Sequence, residues 1–354
     1  MPKEIINNII KAAVRAPSGD NSQPWRFSLK NDNTLLVFNI PDKDNPVFNF
    51  RQRGSYVAHG ALIENISIAA EKYGYLAQVL LFPNNIDPNL VAEISFSSIT
   101  PKENSLYSYI FTRTTNRKPY TNAKLNDEQK NILIEIANKF GVKFILVEDK
   151  IKCETLARAV SLAERIILEH RALHKYFFNH IRWTEEEELR ERSGLYIKTF
   201  EISLPQLIIF KILRFWSVSR ILNTIGLSKF IAKENSKIYS SCAAFGAIIT
   251  DDKNQDFITA GRAFERMWLE NTKMGLSTHP FAGVIYLAQR VFSGDTTTLS
   301  KKHNNAIKKA FSEIQSALDI KSDTVSMLFR IGQDGEPSAR SSRLNPDIDS
   351  FKEN

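Results

Sequence analysis

Residues 16–27, Ala16-Pro-Ser-Gly-Asp-Asn-Ser-Gln-Pro-Trp-Arg-Phe27, decide how the rest of the chain is read. Pro17 and Pro24 bracket a run of Ser, Gly, Asp and Asn. That composition excludes helix and strand and predicts a polar loop whose side chains and free N–H groups can converge on a ligand. A helix is predicted before it, because Ile5, Ile6, Ile9, Ile10, Ala13 and Val14 recur at helical spacing until Pro17 stops them. Strand-forming residues follow, Trp25, Phe27 and Leu29 and then Leu35 to Ile40, around an Asn31-Asp32-Asn33 turn. On composition alone, a polar surface loop is the plainer explanation.

At 354 residues the chain has room for two cores or one large one, and its 43% hydrophobic and 24% charged residues are those of an ordinary globular protein. A net charge of +8 favours anionic partners such as a phosphate-bearing cofactor. The cations are interspersed with acidic residues and no nucleic-acid-binding module is present, so nucleic acid is not expected as a partner. Cys153 and Cys242 give neither a disulfide framework nor a CxxC spacing, and point to a reducing, cytoplasmic setting. The first residues lack the pattern of a secretion signal. Ile202 to Leu222, the most apolar stretch, carries Lys211, Arg214 and Arg220, which a bilayer-crossing helix resists; no firm membrane association is expected.

Beyond a loop over Pro41 to Arg53, a helix is predicted from Tyr56 to about Lys72, with Leu62, Ile66, Ala69 and Ala70 on one face and Gly74 as its cap. Strands follow at Tyr75 to Phe82 and Val91 to Phe96, joined by a Pro-Asn-Asn turn. The segment Gly60 to Gly74 aligns with Gly261 to Gly275, with Glu64 matching Glu265 and Lys72 matching Lys273. This suggests a duplicated module.

The second module begins near Tyr107 and leads into Arg113-Thr-Thr-Asn-Arg117-Lys118-Pro119-Tyr120, whose cations and hydroxyls suit phosphate oxygens or form a solvated basic turn. A helix starts at Leu125 to Glu128 with Asn126 as N-cap, and Phe144 to Val147 is a strand. A long helix is expected from Glu154 to about Trp183. Its His170 and His174 stand one turn apart, but no metal-binding pattern surrounds them, so they are expected to be helix-surface histidines and no metal is called. Glu185 to Ser240 has the look of an insertion, with Ile208, Ile212, Phe215 and Leu222 forming one stripe. The stripe fits a core-covering helix, a lid, or a membrane-surface element. A strand over Thr324 to Ile331 precedes Gly332-Gln-Asp-Gly-Glu-Pro-Ser-Ala-Arg340-Ser-Ser-Arg343.

Pro-Ser-x-x-Asn-Ser-Gln-Pro-Trp after an apolar helix resembles the signature loop of the FMN-dependent nitroreductase superfamily, and Arg113-x-Thr115-x-Arg117 is similar to the Arg-x-Ser-x-Arg with which that family opens. The likeness is greatest to the long, fused, Acg-type branch. It implies an α+β sandwich of two fused modules, residues 1–105 and 106–354 with the insertion at about 185–240, packed as an intramolecular pseudo-dimer. The second half lacks the polar loop, so one half would supply the loop and the other the arginines, giving one flavin site. The resemblance assigns Pro17, Ser18, Gly19 and Asn21 to the flavin, Arg113, Thr115 and Arg117 to its phosphate and ribityl chain, and Asn179 and Arg182 to its pyrimidine. It puts Gly275, Leu276 and Ser277 beside flavin N5, with His279 either lining the pocket or serving as a turn residue. Arg343, with Arg340 as a substitute, would bind the phosphate, although Ser341 stands where the family has its first cation. The implied activity is hydride transfer from NAD(P)H through FMN to a small-molecule acceptor, a nitroaromatic, a quinone or a related compound. No side-chain nucleophile takes part. A protein that sequesters FMN beneath a lid is the alternative. The choice between NADH and NADPH, and between monomer and homodimer, is left open.

Overall fold

The computed structural model describes residues 1–83, 87–101, 104–346 and 348–350. Helix α1 (Lys3–Ala13) buries Ile6, Ile9, Ile10, Ala12 and Ala13. The chain then turns through the polar loop into the hairpin β1 (Trp25–Asn31) and β2 (Thr34–Asn39), closed by a bond from the Asn33 N–H to Asn31 Oδ1 at 2.9 Å. Helix α2 (Arg53–Lys72) ends before Gly74, which adopts φ +79° as a left-handed cap requires. Strands β3 (Tyr75–Leu81) and β4 (Leu90–Ser98) follow. Asn84 and Asn85 of the turn expected between them lie outside the described residues.

Past α3 (Tyr109–Thr112), α4 (Asp127–Phe140) starts on a capping box in which Asn126 accepts from the Gln129 N–H and Gln129 reaches back. β5 (Lys143–Val147) comes next. The single helix expected over Glu154 to Trp183 is three: α5 (Lys150–Val160), α6 (Leu162–Glu169) and α7 (Arg171–Asn179). The second break falls at His170, which has extended backbone and caps α7 by accepting from the Leu173 N–H at 3.4 Å. His174 is not on the surface either. It is buried, with Nε2 donating to the Leu213 carbonyl at 2.8 Å, and so ties α7 to the insertion.

The segment expected as an insertion, residues 185–240, holds α8 (Glu185–Glu191), β7 (Leu195–Tyr196), α9 (Leu204–Leu213), α10 (Trp216–Thr224) and α11 (Leu227–Ser240); β6 (Ile181–Arg182), just before it, pairs with β7, and a small core gathers around Phe178, Ile181, Tyr196 and Leu213. Of the stripe that fitted a core-covering helix, a lid or a membrane-surface element, Ile208, Ile212 and Phe215 are exposed and Leu222 packs against this core, while Leu207, Phe210 and Leu213 face inward. Helix α9 is apolar on nearly every side, so helical spacing picks out two stripes and only one of them has a core to meet. The chain continues through β8 (Ala244–Thr250), α12 (Asn254–Lys273), β9 (Ser277–Phe281), α13 (Gly283–Phe292), α14 (Lys301–Leu318), β10 (Thr324–Gly332) and β11 (Ile348–Ser350).

The fold is α+β, with two fused sheet-and-helix modules. One sheet has the order β11-β1-β2-β4-β3 and the other β5-β8-β10-β9. Strand β11, at the far end of the chain, pairs in parallel with β1 of the first sheet. The second half thus reaches across to complete the sheet of the first.

Between the sheets α2 and α12 cross. A Cβ on Gly60 would lie 2.0 Å from the Ile258 carbonyl oxygen, and one on Gly261 would lie 2.0 Å from that of Val57. Each glycine therefore meets the residue three positions before its counterpart, as a two-fold repeat requires. The matched glutamates Glu64 and Glu265 are both fully buried. Glu64 pairs with Arg262 and Arg266 on the opposite helix, while Glu265 pairs with Arg113 at 3.1 Å.

Candidate functional site

A cavity of about 330 Å³ opens between the polar loop, the Arg113–Arg117 segment and the chain leading to β11. The loop is shaped by its backbone: Asp20, Asn21 and Gln23 all have positive φ, and the Ser18 hydroxyl accepts from the Gln23 N–H at 2.9 Å. Pro17, Ser18, Gly19 and Asn21 line the cavity. Asn21 donates from Nδ2 to the Ser342 carbonyl at 3.1 Å, while the Leu344 N–H donates to Gln23 Oε1 at 2.9 Å. Two side chains of the loop therefore grip the C-terminal arm that carries Arg343.

Arg113, Thr115 and Arg117 all line the cavity. Thr114 lines it too; Thr115, which bridges Thr278 of β9, and Arg117 flank Asn116. Asn116 between them points away, where its Nδ2 donates to Ser277 Oγ at 2.9 Å and to the Gly335 carbonyl at 3.0 Å. Buried Arg330 donates to the Lys118 carbonyl at 2.8 Å and fixes the end of the segment. Arg340, Ser341 and Arg343 complete this side of the cavity.

Sequence reasoning missed one member of the cation set. Arg15, which directly precedes the loop, lines the cavity, and its carbonyl accepts from Arg113 Nη2 at 2.6 Å and from Arg343 Nη2 at 3.4 Å. A cation two residues before the Pro-Ser pair was the available signal. Arg15 is pulled below the usual guanidinium range by burial, then by Arg113 and Arg340. Arg343 is pulled down to about 9 by burial, then by Arg113 and Arg15. Arg113 has Glu265 and Arg340 has Glu336, but among the described residues neither Arg15, Arg117 nor Arg343 forms an ion pair. Crowded cations withdrawn from water are costly until an anion joins them.

Also missed was a pair of carboxylates, Asp20 and Asp44, that line the same cavity. Burial, and then the charge of Asp20, pushes Asp44 up to about 7, while burial raises Asp20 against the pull of His180 and Arg117. Neither stood out in the sequence, since they belong to separate polar loops. His279 lines the cavity and is held well below its usual range by burial, then by Arg330 and Arg117, so it is neutral there.

Two assigned groups lie elsewhere. Arg182 donates to the Ser193 carbonyl at 2.7 Å and to the Asn179 carbonyl at 3.1 Å. This ties down the β6–β7 corner, and neither Asn179 nor Arg182 lines the cavity. Gly275, with φ +73°, caps α12, Leu276 is buried, and Ser277 is engaged by Asn116. The stretch of that strand facing the cavity is His279 and Pro280, with Ala282 and Gly283 after it.

No family model matches the chain. It is 24% identical over 290 residues to the "Uncharacterized protein MT1398" of Mycobacterium tuberculosis, covering 81% of this chain and 40% of the relative. It is 30% identical over 193 residues to the "Putative NAD(P)H nitroreductase acg" of the same organism, covering 53% of this chain and 56% of that protein. The chain thus spans about half the length of these curated relatives. A nitroreductase with bound FMN from Desulfitobacterium hafniense aligns over 70% of this chain and 96% of its own, at 10% identity and a TM-score of 0.36. In sequence the chain is thus similar to putative NAD(P)H nitroreductases, the acg protein among them, in agreement with the resemblance read from residues 16–27 and 113–117.

Proposed function

We propose that the protein is an FMN-dependent, NAD(P)H-using oxidoreductase with one flavin site per pseudo-dimeric chain. The observation that carries this is the cation set: Arg15, Arg113, Arg117 and Arg343 converge on one cavity with too few carboxylates to balance them. A phosphate dianion supplies the missing charge, and guanidinium forks match its oxygens. The residues fit FMN in a second respect, since Asn21 Oδ1 and Arg343 Nε are buried and unpartnered among the described residues. Arg15, Arg113, Arg117 and Arg343 would hold the phosphate and ribityl chain, with Ser18 and Asn21 hydrogen-bonding the remaining polar edges. Bound FMN would supply two-electron chemistry, accepting hydride from NAD(P)H and passing it to a nitroaromatic, quinone or related acceptor.

The chain's own contribution is placement and charge. Asp44, poised to hold or release a proton near neutral pH, lines the same cavity as the arginines. Leu195 and Thr199 of the insertion form another part of the wall, and the Thr199 carbonyl accepts from Arg117 at 3.1 Å. That wall also favours a second reading, in which the insertion retains FMN and admits no acceptor. Anaerobic titration of the flavin-loaded protein with NADPH and then NADH separates the two. Bleaching of the flavin absorbance by a nucleotide is expected; a flavin bleached only by dithionite would overturn the reductase in favour of sequestration.

A further inference from the structure

The outer surface of the insertion has no role in the cavity and is unlike the rest of the molecule. From Ile202 to Lys233 the chain carries five cations, Lys211, Arg214, Arg220, Lys229 and Lys233, and no acidic residue, whereas 39 acidic residues are spread through the whole sequence. All five cations are exposed, and among the described residues none forms an ion pair. Large apolar side chains stand exposed among them: Leu204 at 77%, Ile208 at 61%, Ile225 at 80% and Phe230 at 60%, with Ile212 and Phe215 about half exposed. Scattered apolar residues on a surface are ordinary, but this many on three consecutive helices make a patch of the kind that marks an interaction site.

The patch is rigidly presented. Helix α9 is fixed at its start by the Ser203 and Gln206 capping box, and Leu207, Phe210 and Leu213 on its other side pack against Phe177, Phe178 and Phe200. His174 and Ser219 both bond the Leu213 carbonyl at 2.8 Å and anchor the turn into α10. A helix apolar on all sides belongs in a core or at a lipid boundary, and the core here takes one side only.

We propose that α9 to α11 form a docking surface for an anionic phospholipid bilayer. Ile208, Ile212, Phe215 and Ile225 enter the boundary between headgroups and acyl chains, while Lys211, Arg214, Arg220, Lys229 and Lys233 meet lipid phosphates. Charge decides between this partner and a second copy of the chain. A symmetric dimer through this face would set five unpaired cations against the same five. This is attachment to one leaflet; among the described residues no helix is long and apolar enough to cross a membrane.

Flotation of the full chain with vesicles tests it, using phosphatidylcholine alone and phosphatidylcholine mixed with phosphatidylglycerol. Binding is expected to the mixed vesicles only and to weaken with salt. It should fall about tenfold or more in the triple variant Ile208→Ser, Ile212→Ser, Phe215→Ser, and likewise in Lys211→Gln, Arg214→Gln, Arg220→Gln, with the melting temperature retained. If the triple apolar variant fails to fold, the single Ile225→Ser, in an exposed turn, should still weaken binding. Absence of binding to the mixed vesicles, or equal binding by wild type and variants, would overturn the proposal. So would a concentration-dependent dimer abolished by the apolar variant without any flotation, since that assigns the face to a second copy.

Discussion

Asp44 is held protonated to about pH 7 in the folded chain, against an ordinary value of 3.8. The folded state therefore binds more protons than the unfolded state between those values, and stability falls as pH rises from about 4 to 7 and then levels off. Asp44→Asn keeps the Oδ1 acceptor that the Asn45 N–H uses at 2.8 Å and removes the charge. It should raise stability at pH 8 by roughly 2 to 4 kcal/mol, and by less at pH 5, as read by thermal denaturation at both. Equal gains at the two pH values would contradict the assignment. Arg343 presents the opposite case, a cation held below its usual range, so an anion placed beside it should stabilise the fold. Thermal denaturation with inorganic phosphate should show an increase that Arg343→Ala diminishes. At this scale the sequence was informative where chemistry and spacing coincide, as in Arg113, Thr115 and Arg117. It was silent on Asp20 and Asp44, whose pairing depends on two loops meeting in space.

Among the elements, the crossing of α2 and α12 is the least tolerant. A methyl group on Gly261 would lie 2.0 Å from the Val57 carbonyl oxygen, and the two backbones would have to part. Gly261→Ala should cost about 3 kcal/mol or more, and Gly335→Ala, where nothing stands within 4 Å, less than about 0.5 kcal/mol, measured by denaturant unfolding. These glycines were visible in the sequence as a repeat, but the repeat gave only their equivalence; that they touch opposite helices is a tertiary fact. Helix α4 was legible to its capping box, because Asn126 and Gln129 act locally. The helix expected over residues 154–183 was not, since Ser161 and His170 interrupt it without proline or glycine. The stripe of α9 misled for a related reason: periodicity identifies a face, and only the neighbouring core decides which face is buried.

Over the whole molecule, the two halves complement each other. The first contributes the Pro17–Asn21 loop and also Arg15, the second contributes Arg113, Arg117 and Arg343, so the expected division into a loop half and an arginine half is not strict, and β11 of the second half pairs with β1 of the first. One flavin per chain is expected from the ratio of flavin to protein absorbance after loading, and two per chain would contradict complementation. The central claim is that the cation cluster is a phosphate site, and comparison of FMN with riboflavin, which lacks only the phosphate, tests it most directly. Isothermal titration should show FMN binding roughly 100-fold tighter than riboflavin in the wild type, with the difference largely lost in Arg343→Ala while riboflavin binding is unchanged. Equal affinity of the wild-type protein for FMN and riboflavin would contradict it.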